Sequence, residues 1–111
     1  MTEQKSIIII DDHPLFREGL KTIVGRDARF KVVGEAGSGH EGLEMTKRLK
    51  PDLVVIDISL PDKSGIQLTR DLRGLLSEIK ILIVSMHSKI DYIAEAFQAG
   101  ATGYLLDKTI F

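Results

Sequence analysis

Four consecutive isoleucines, Ile7 to Ile10, stop abruptly at Asp11, Asp12, His13 and Pro14. A β-branched run without polar alternation predicts a strand buried on both faces, the condition of a parallel sheet covered by helices. The pattern returns in a third strand, Asp52 to Ile58, interrupted by Asp57, and in a fourth, Lys80 to Ser85. Phe30 to Ala36 and Gly103 to Leu106 read as two further strands. Between them apolar residues recur at helical spacing. Leu15, Phe16, Gly19, Leu20, Ile23 and Val24 mark a first helix, and Leu43 and Leu49 a second with a sparse face. Ile66, Leu68, Leu72, Leu75 and Leu76 mark a third, and Ile90, Ile93, Ala94 and Phe97 a fourth.

The punctuation agrees with this division. Pro14 suits a first helical turn. Ser38 followed by Glu41, and Ser64 followed by Gln67, are capping-box patterns. Pro51 and Gly100 close the second and fourth helices. Strict alternation of five strands with four helices requires right-handed crossovers, which gives an α/β, doubly wound, five-stranded parallel sheet. A chain of 111 residues has room for one such domain. It reaches Phe111 soon after the fifth strand, so a fifth helix is expected to be absent. One sheet face should then show an apolar strip from strands one, three, four and five. The expectation is that residues 1–111 either dimerise through that strip or are one domain of a longer protein, cut before its last helix.

Composition removes several function classes. Fifteen Lys and Arg against sixteen Asp and Glu leave a net charge of −1, without the basic excess that duplex phosphates require. The absence of Cys excludes disulfides, a thiolate nucleophile and a Cys-ligated zinc site. No apolar run approaches the roughly 20 residues of a membrane span, and the N-terminus lacks a signal-peptide pattern. A cytoplasmic protein is expected. Aromatic residues are only 5% of the chain and Trp is absent, which argues against stacking platforms.

In open α/β sheets ligands bind beyond the carboxyl ends of the strands. Strand one ends in Asp11 and Asp12, strand three delivers Asp57, strand four ends in Ser85, and strand five runs into Asp107 and Lys108. Three carboxylates on one rim repel unless a cation lies among them. A hard divalent ion with oxygen ligands, Mg²⁺, resolves the repulsion and leaves positions for phosphate oxygens. A carboxylate beside it can attack phosphorus and form an acyl phosphate. His13, His40 and His87 are expected to be solvated. The glycines of "GEAGSGHEG" lack the spacing of a phosphate-binding loop.

The segments "IIIIDDHPLFREGL", "DLVVIDISLPDKSGIQL" and "ILIVSMHSKIDYIAEAFQAGATGYLL" resemble the receiver domain of bacterial two-component response regulators, of the NarL/FixJ type with a LuxR-type DNA-binding domain downstream. The resemblance covers about residues 6–106. It implies a flavodoxin-like sheet in the order 2-1-3-4-5 and a Mg²⁺ cofactor. Asp57 would be the phosphoacceptor, Asp12 a direct metal ligand, Asp11 its water-mediated neighbour, and Ser59 a ligand through its backbone carbonyl. Pro61 and Gly65 would shape the loop after the acceptor. Ser85 would be the switch hydroxyl, Tyr104 the aromatic that follows it, and His87 a residue that tunes dephosphorylation. The implied partner is a sensor histidine kinase, and DNA would be reached only through an effector domain absent here. Such a domain catalyses its own phosphotransfer and dephosphorylation and is not an enzyme in the ordinary sense.

The chain departs from the family at the fifth strand. The family reads Gly-Tyr-x-x-Lys, whereas Asp107 stands here at the Lys position and Lys108 follows. Neighbouring strand residues point to opposite faces, so Lys108 reaches the phosphoryl site only if the strand end is distorted. A pseudo-receiver that binds partners without being phosphorylated is therefore the alternative. A phosphatase of the haloacid-dehalogenase type would need Asp-x-Asp on one strand, which "DDHP" does not supply.

Overall fold

A computed structural model describes residues 4–86 and 90–106. The elements run β1 (Lys5–Ile10), α1 (Pro14–Gly25), β2 (Phe30–Ala36), α2 (Gly39–Leu49), β3 (Leu53–Asp57), α3 (Gly65–Leu75), β4 (Lys80–Ser85), α4 (Ile90–Ala99) and β5 (Gly103–Leu106). All strand pairs are parallel and the sheet order is β2-β1-β3-β4-β5. The doubly wound parallel sheet is as the sequence pattern predicts, and its strand order is the one the family resemblance implies. Among the described residues, no helix is long and apolar enough to cross a membrane.

The isoleucine run is buried on both faces, which explains its lack of alternation. Ile8 and Ile10 join Val54, Ile56, Ile81 and Ile83 in a core cluster completed by Leu68 and Leu72 of α3 and Ala96 and Ala99 of α4. Ile7 and Ile9 face the other way, with Val55 and Val84, against Phe16, Leu20 and Val24 of α1. Both serine caps form: Ser38 Oγ accepts from the Glu41 N–H and Ser64 Oγ from the Gln67 N–H. Glu41 Oε1 accepts the Gly37 N–H, one residue before the cap. Lys50 ends α2 with φ 45°, in the left-handed region, and Pro51 prevents continuation.

Each of the four helices leaves some of its expected apolar residues exposed, Leu49 of α2 and Leu75 of α3 among them. Leu15 and Ile23 of α1 are exposed, at 87% and 63%. Helix α4 buries Ala96 and Ala99 and leaves Ile90, Ala94 and Phe97 exposed. Ala96 and Ala99 join the core cluster and Tyr92 packs partly buried against it, while Ile90 and Phe97 stay on the outer side. The expected apolar strip is also narrower than predicted. Ile7, Ile9, Val55 and Val84 are buried, while Leu105 on β5 is half exposed. Among the described residues α1 alone covers this face, and its three sheet-facing apolar residues suffice for the central strands.

Candidate functional site

The sheet register assembles the site. Ile10 pairs with Ile56, so the next residues, Asp11 and Asp57, emerge side by side at the carboxyl edge. Asp57 pairs with Val84, which places Ser85 one step beyond on the neighbouring strand. Asp11 extends the ladder, its N–H donating to the Ala36 carbonyl. Asp11, Asp57 and Ser85 line one cavity of about 370 Å³, whose apolar wall includes Pro14, Phe16, Val84 and Met86.

Asp57 is largely buried, and burial raises its pKa to about 6. The Asp11 and Asp12 carboxylates push in the same direction. The Ser59 N–H, which donates to Asp57 Oδ1 at 3.1 Å, and the nearby His13 oppose the rise. Asp11 is buried and Asp12 is exposed. His13 stays largely solvent-exposed, as expected, yet it belongs to the site. Its Nδ1 lies 2.9 Å from Asp11 Oδ1, 3.0 Å from Asp12 Oδ1 and 3.7 Å from Asp57 Oδ2. The bond to Asp11 is the main reason that its pKa is raised, with the Asp12 and Asp57 charges adding to it. Ligand atoms of Asp11, Asp12, His13 and Asp57 all lie within 4.8 Å of one another. Such a convergent donor set, rich in carboxylate oxygen, fits a divalent cation.

Supporting residues fix these groups. Arg17 on α1 donates Nη1 to the Asp11 carbonyl and Nε to Glu35 on β2, so it ties the β1–α1 turn to the sheet. Asp62, in the loop after β3, accepts the Gly39 N–H at 2.7 Å and the His40 N–H at 2.8 Å. These bonds hold its carboxyl below the usual range and anchor that loop on the N-terminus of α2. Gly65 is required where it stands, because a Cβ there would lie 2.4 Å from the Asp57 carbonyl oxygen. Sequence reasoning missed His13, Arg17 and Asp62. Their partners lie on other elements, and only the charge pattern of "DDHPLFRE" hinted at the first two.

Of the remaining expected residues, Ser85 is buried at the end of β4. Tyr104 pairs with Ile83 and packs partly buried against the α3–α4 core. Ser59 forms a bridge to Ser64 across the loop. His87, Asp107 and Lys108 lie outside the described residues.

Residues 7–110 match the family model described as the response regulator receiver domain. The chain belongs to the receiver domain family. Among its relatives, this receiver domain is 39% identical over 100 residues to the transcriptional regulatory protein DegU of Brevibacillus brevis, covering 90% of the chain and 42% of the relative. It is 35% identical over 104 residues to the nitrate/nitrite response regulator protein NarL of Escherichia coli K12, covering 94% and 48%. A LuxR-family two-component response regulator from Aurantimonas sp. SI85-9A1 superposes with a TM-score of 0.88 at 37% identity, over 92% of this chain and 73% of that one. The receiver domain spans less than half the length of these two curated relatives. Receiver domains are signalling domains, and the acidic pocket of this one brings together residues of the kind that hold a metal ion.

Proposed function

We propose that this receiver domain takes a phosphoryl group onto Asp57 from the phosphohistidine of a sensor histidine kinase, with Mg²⁺ as cofactor. The observation that carries the reading is the Asp57 carboxylate beside Asp11, Asp12 and His13, all with ligand atoms within 4.8 Å of one another. Asp12, Asp11, Asp57 and the Ser59 carbonyl would hold the ion. When bound, it neutralises charge on the carboxylates and on the phosphoryl oxygens. Asp57 attacks phosphorus as the P–N bond breaks, and the protonated imidazole of the donor leaves as neutral histidine. Ser85 donates its hydroxyl to a phosphoryl oxygen, and Lys108 is the candidate cation for another.

The new charge on Asp57 biases a two-state surface. Ser85 moves toward the phosphoryl group and Tyr104, two register steps back on the next strand, follows. The surface of α4 and β5 then changes partner preference; Ile90 and Phe97 are exposed there. The output is transcription, through a DNA-binding effector domain outside this chain, and the setting is the cytoplasm. A homodimer through the α1–β5 face belongs to the same reading.

Incubation with acetyl phosphate and Mg²⁺, followed by a phosphate-affinity gel, tests the proposal. One retarded species is expected, absent in Asp57→Asn. No Asp57-dependent species would overturn it. The order Asp107-Lys108 favours the pseudo-receiver as second reading. A chain that labels only after Asp107→Lys would establish that reading, and unchanged labelling would show the order to be harmless.

A further inference from the structure

We infer that Arg17 is a positioning residue for the acidic pocket: it holds the peptide unit between Asp11 and Asp12 and so sets how tightly the site takes Mg²⁺. This rests on the proposed metal site and adds to it a cation outside the ligand set.

The first support is where the guanidinium goes. Arg17 stands in the first turn of α1, its backbone N–H donating to the His13 carbonyl at 3.1 Å. Three carboxylates lie at the adjacent strand edge, yet among the described residues the ion pair of Arg17 is with Glu35 on β2, at 2.9 Å from its Nε. Nη1 donates to the Asp11 backbone carbonyl. That carbonyl belongs to the peptide unit joining the two carboxylate-bearing residues. A peptide unit is planar, so fixing its oxygen fixes the Asp12 N–H and Cα, and with them the direction in which the Asp12 side chain leaves the backbone. The rest of Asp11 is already held: its N–H donates to the Ala36 carbonyl at 2.9 Å, and its Oδ1 accepts the His13 N–H at 2.7 Å.

The second support is how the guanidinium itself is held. Glu35 is engaged on both oxygens: Oε1 accepts from Arg17, and Oε2 lies 2.7 Å from Lys21 Nζ. Lys21 also reaches Glu18 at 2.8 Å. Lys21 first, and Arg17 with it, hold the Glu35 carboxyl below its ordinary pKa. Glu35 pairs with Ile9 of β1, so the brace runs from the turn back to the sheet. The Arg17 side chain is only 20% exposed, where charge-assisted bonds are less weakened by water.

The sign of the effect separates positioning from a simple field. By charge alone, removing a cation next to three anions would tighten the binding of another cation. Removing a brace does the opposite, because residues that orient metal ligands change affinity roughly 10- to 100-fold.

Calorimetric Mg²⁺ titration of the whole chain, wild type and variants, tests the inference. Arg17→Ala should bind Mg²⁺ about tenfold more weakly. Arg17→Lys, which keeps the charge but loses the planar fork, should bind about threefold more weakly. Adding Glu35→Gln to Arg17→Ala should weaken binding no further, because both changes break one brace. Asp57 labelling by acetyl phosphate should need correspondingly more Mg²⁺ and reach the wild-type rate at saturation. If circular dichroism shows Arg17→Ala unfolded, Arg17→Lys decides. Mg²⁺ affinity at or above wild type in the folded variants, or slower labelling at saturating Mg²⁺ with unchanged affinity, would overturn the role of Arg17 and leave the carboxylate site standing. Absence of saturable Mg²⁺ binding to wild type would overturn the metal site itself, and the role of Arg17 with it.

Discussion

Asp57 sets a charge against burial. Its pKa in the folded chain is about 6, against an ordinary value of 3.8, because burial disfavours the anion and Asp11 adds to the effect. Between roughly pH 4 and 6 the folded state therefore holds a proton that the unfolded state has released. Stability falls as pH rises through this window and stays low above it. The ionised form costs on the order of 3 kcal/mol at neutral pH. Asp57→Asn removes the charge and keeps an oxygen for the Ser59 N–H. In the absence of divalent metal its melting temperature should exceed that of wild type by several degrees at pH 7.5, and the difference should shrink toward pH 4. Thermal unfolding followed by circular dichroism checks both arms. Equal melting temperatures at pH 7.5 would mean that the carboxylate is well solvated. At this scale the acidic residues were legible because each sits immediately after, or at the end of, an apolar run. His13 was not, because one histidine at a turn looks the same whether it faces water or three carboxylates.

Helix starts were legible because a serine cap acts on an amide two or three residues away, within reach of local sequence. Ser38 and Ser64 both do this. The same helix α2 has a second cap that no local pattern reveals. Asp62 accepts two of its first amides from 22 and 23 residues away. Asp62→Ala should leave those amides to water and release the loop that carries Ser59. Hydrogen exchange at Gly39 and His40 should accelerate several-fold, with the protection of β1 unchanged. Because the two amides depress the Asp62 pKa, the contribution is complete above the ordinary carboxylate range and disappears as pH falls through the lower folded value. Unaltered exchange in the variant would show that the two bonds carry no weight. The faces of α1 and α4 were misjudged for a related reason. Periodicity shows that apolar residues share a side, and the depth of packing on the sheet decides which of them are covered. Phe16, Leu20 and Val24 meet the strands, and Leu15, Ile23 and Phe97 do not.

Across the whole molecule, fold and site are joined at Gly65. Its N–H donates to the Ile58 carbonyl at 2.8 Å, and α3 begins directly against β3. A methyl group there would meet the Asp57 carbonyl oxygen at 2.4 Å and Ile56 and Ile58 at 2.9 Å. Backbone cannot yield as a flexible side chain does, so α3 and the end of β3 would have to separate. Gly65→Ala should cost about 2 kcal/mol or more and reduce Asp57 labelling together with stability. Urea denaturation beside the labelling assay reads both. Wild-type stability in this variant would show that the junction has slack.

The order of strands and helices, the buried character of the sheet and the three aspartates at its edge were determined by the sequence itself. Each depends on residues adjacent in the chain, where side-chain periodicity and hydrogen-bond reach are local. Tertiary structure alone decided that His13 meets all three carboxylates, that Arg17 and Asp62 brace the turns around them, and which helix residues stay exposed. Those outcomes follow from strand register and from how closely each helix approaches the sheet, and both are set by packing between segments far apart along the chain.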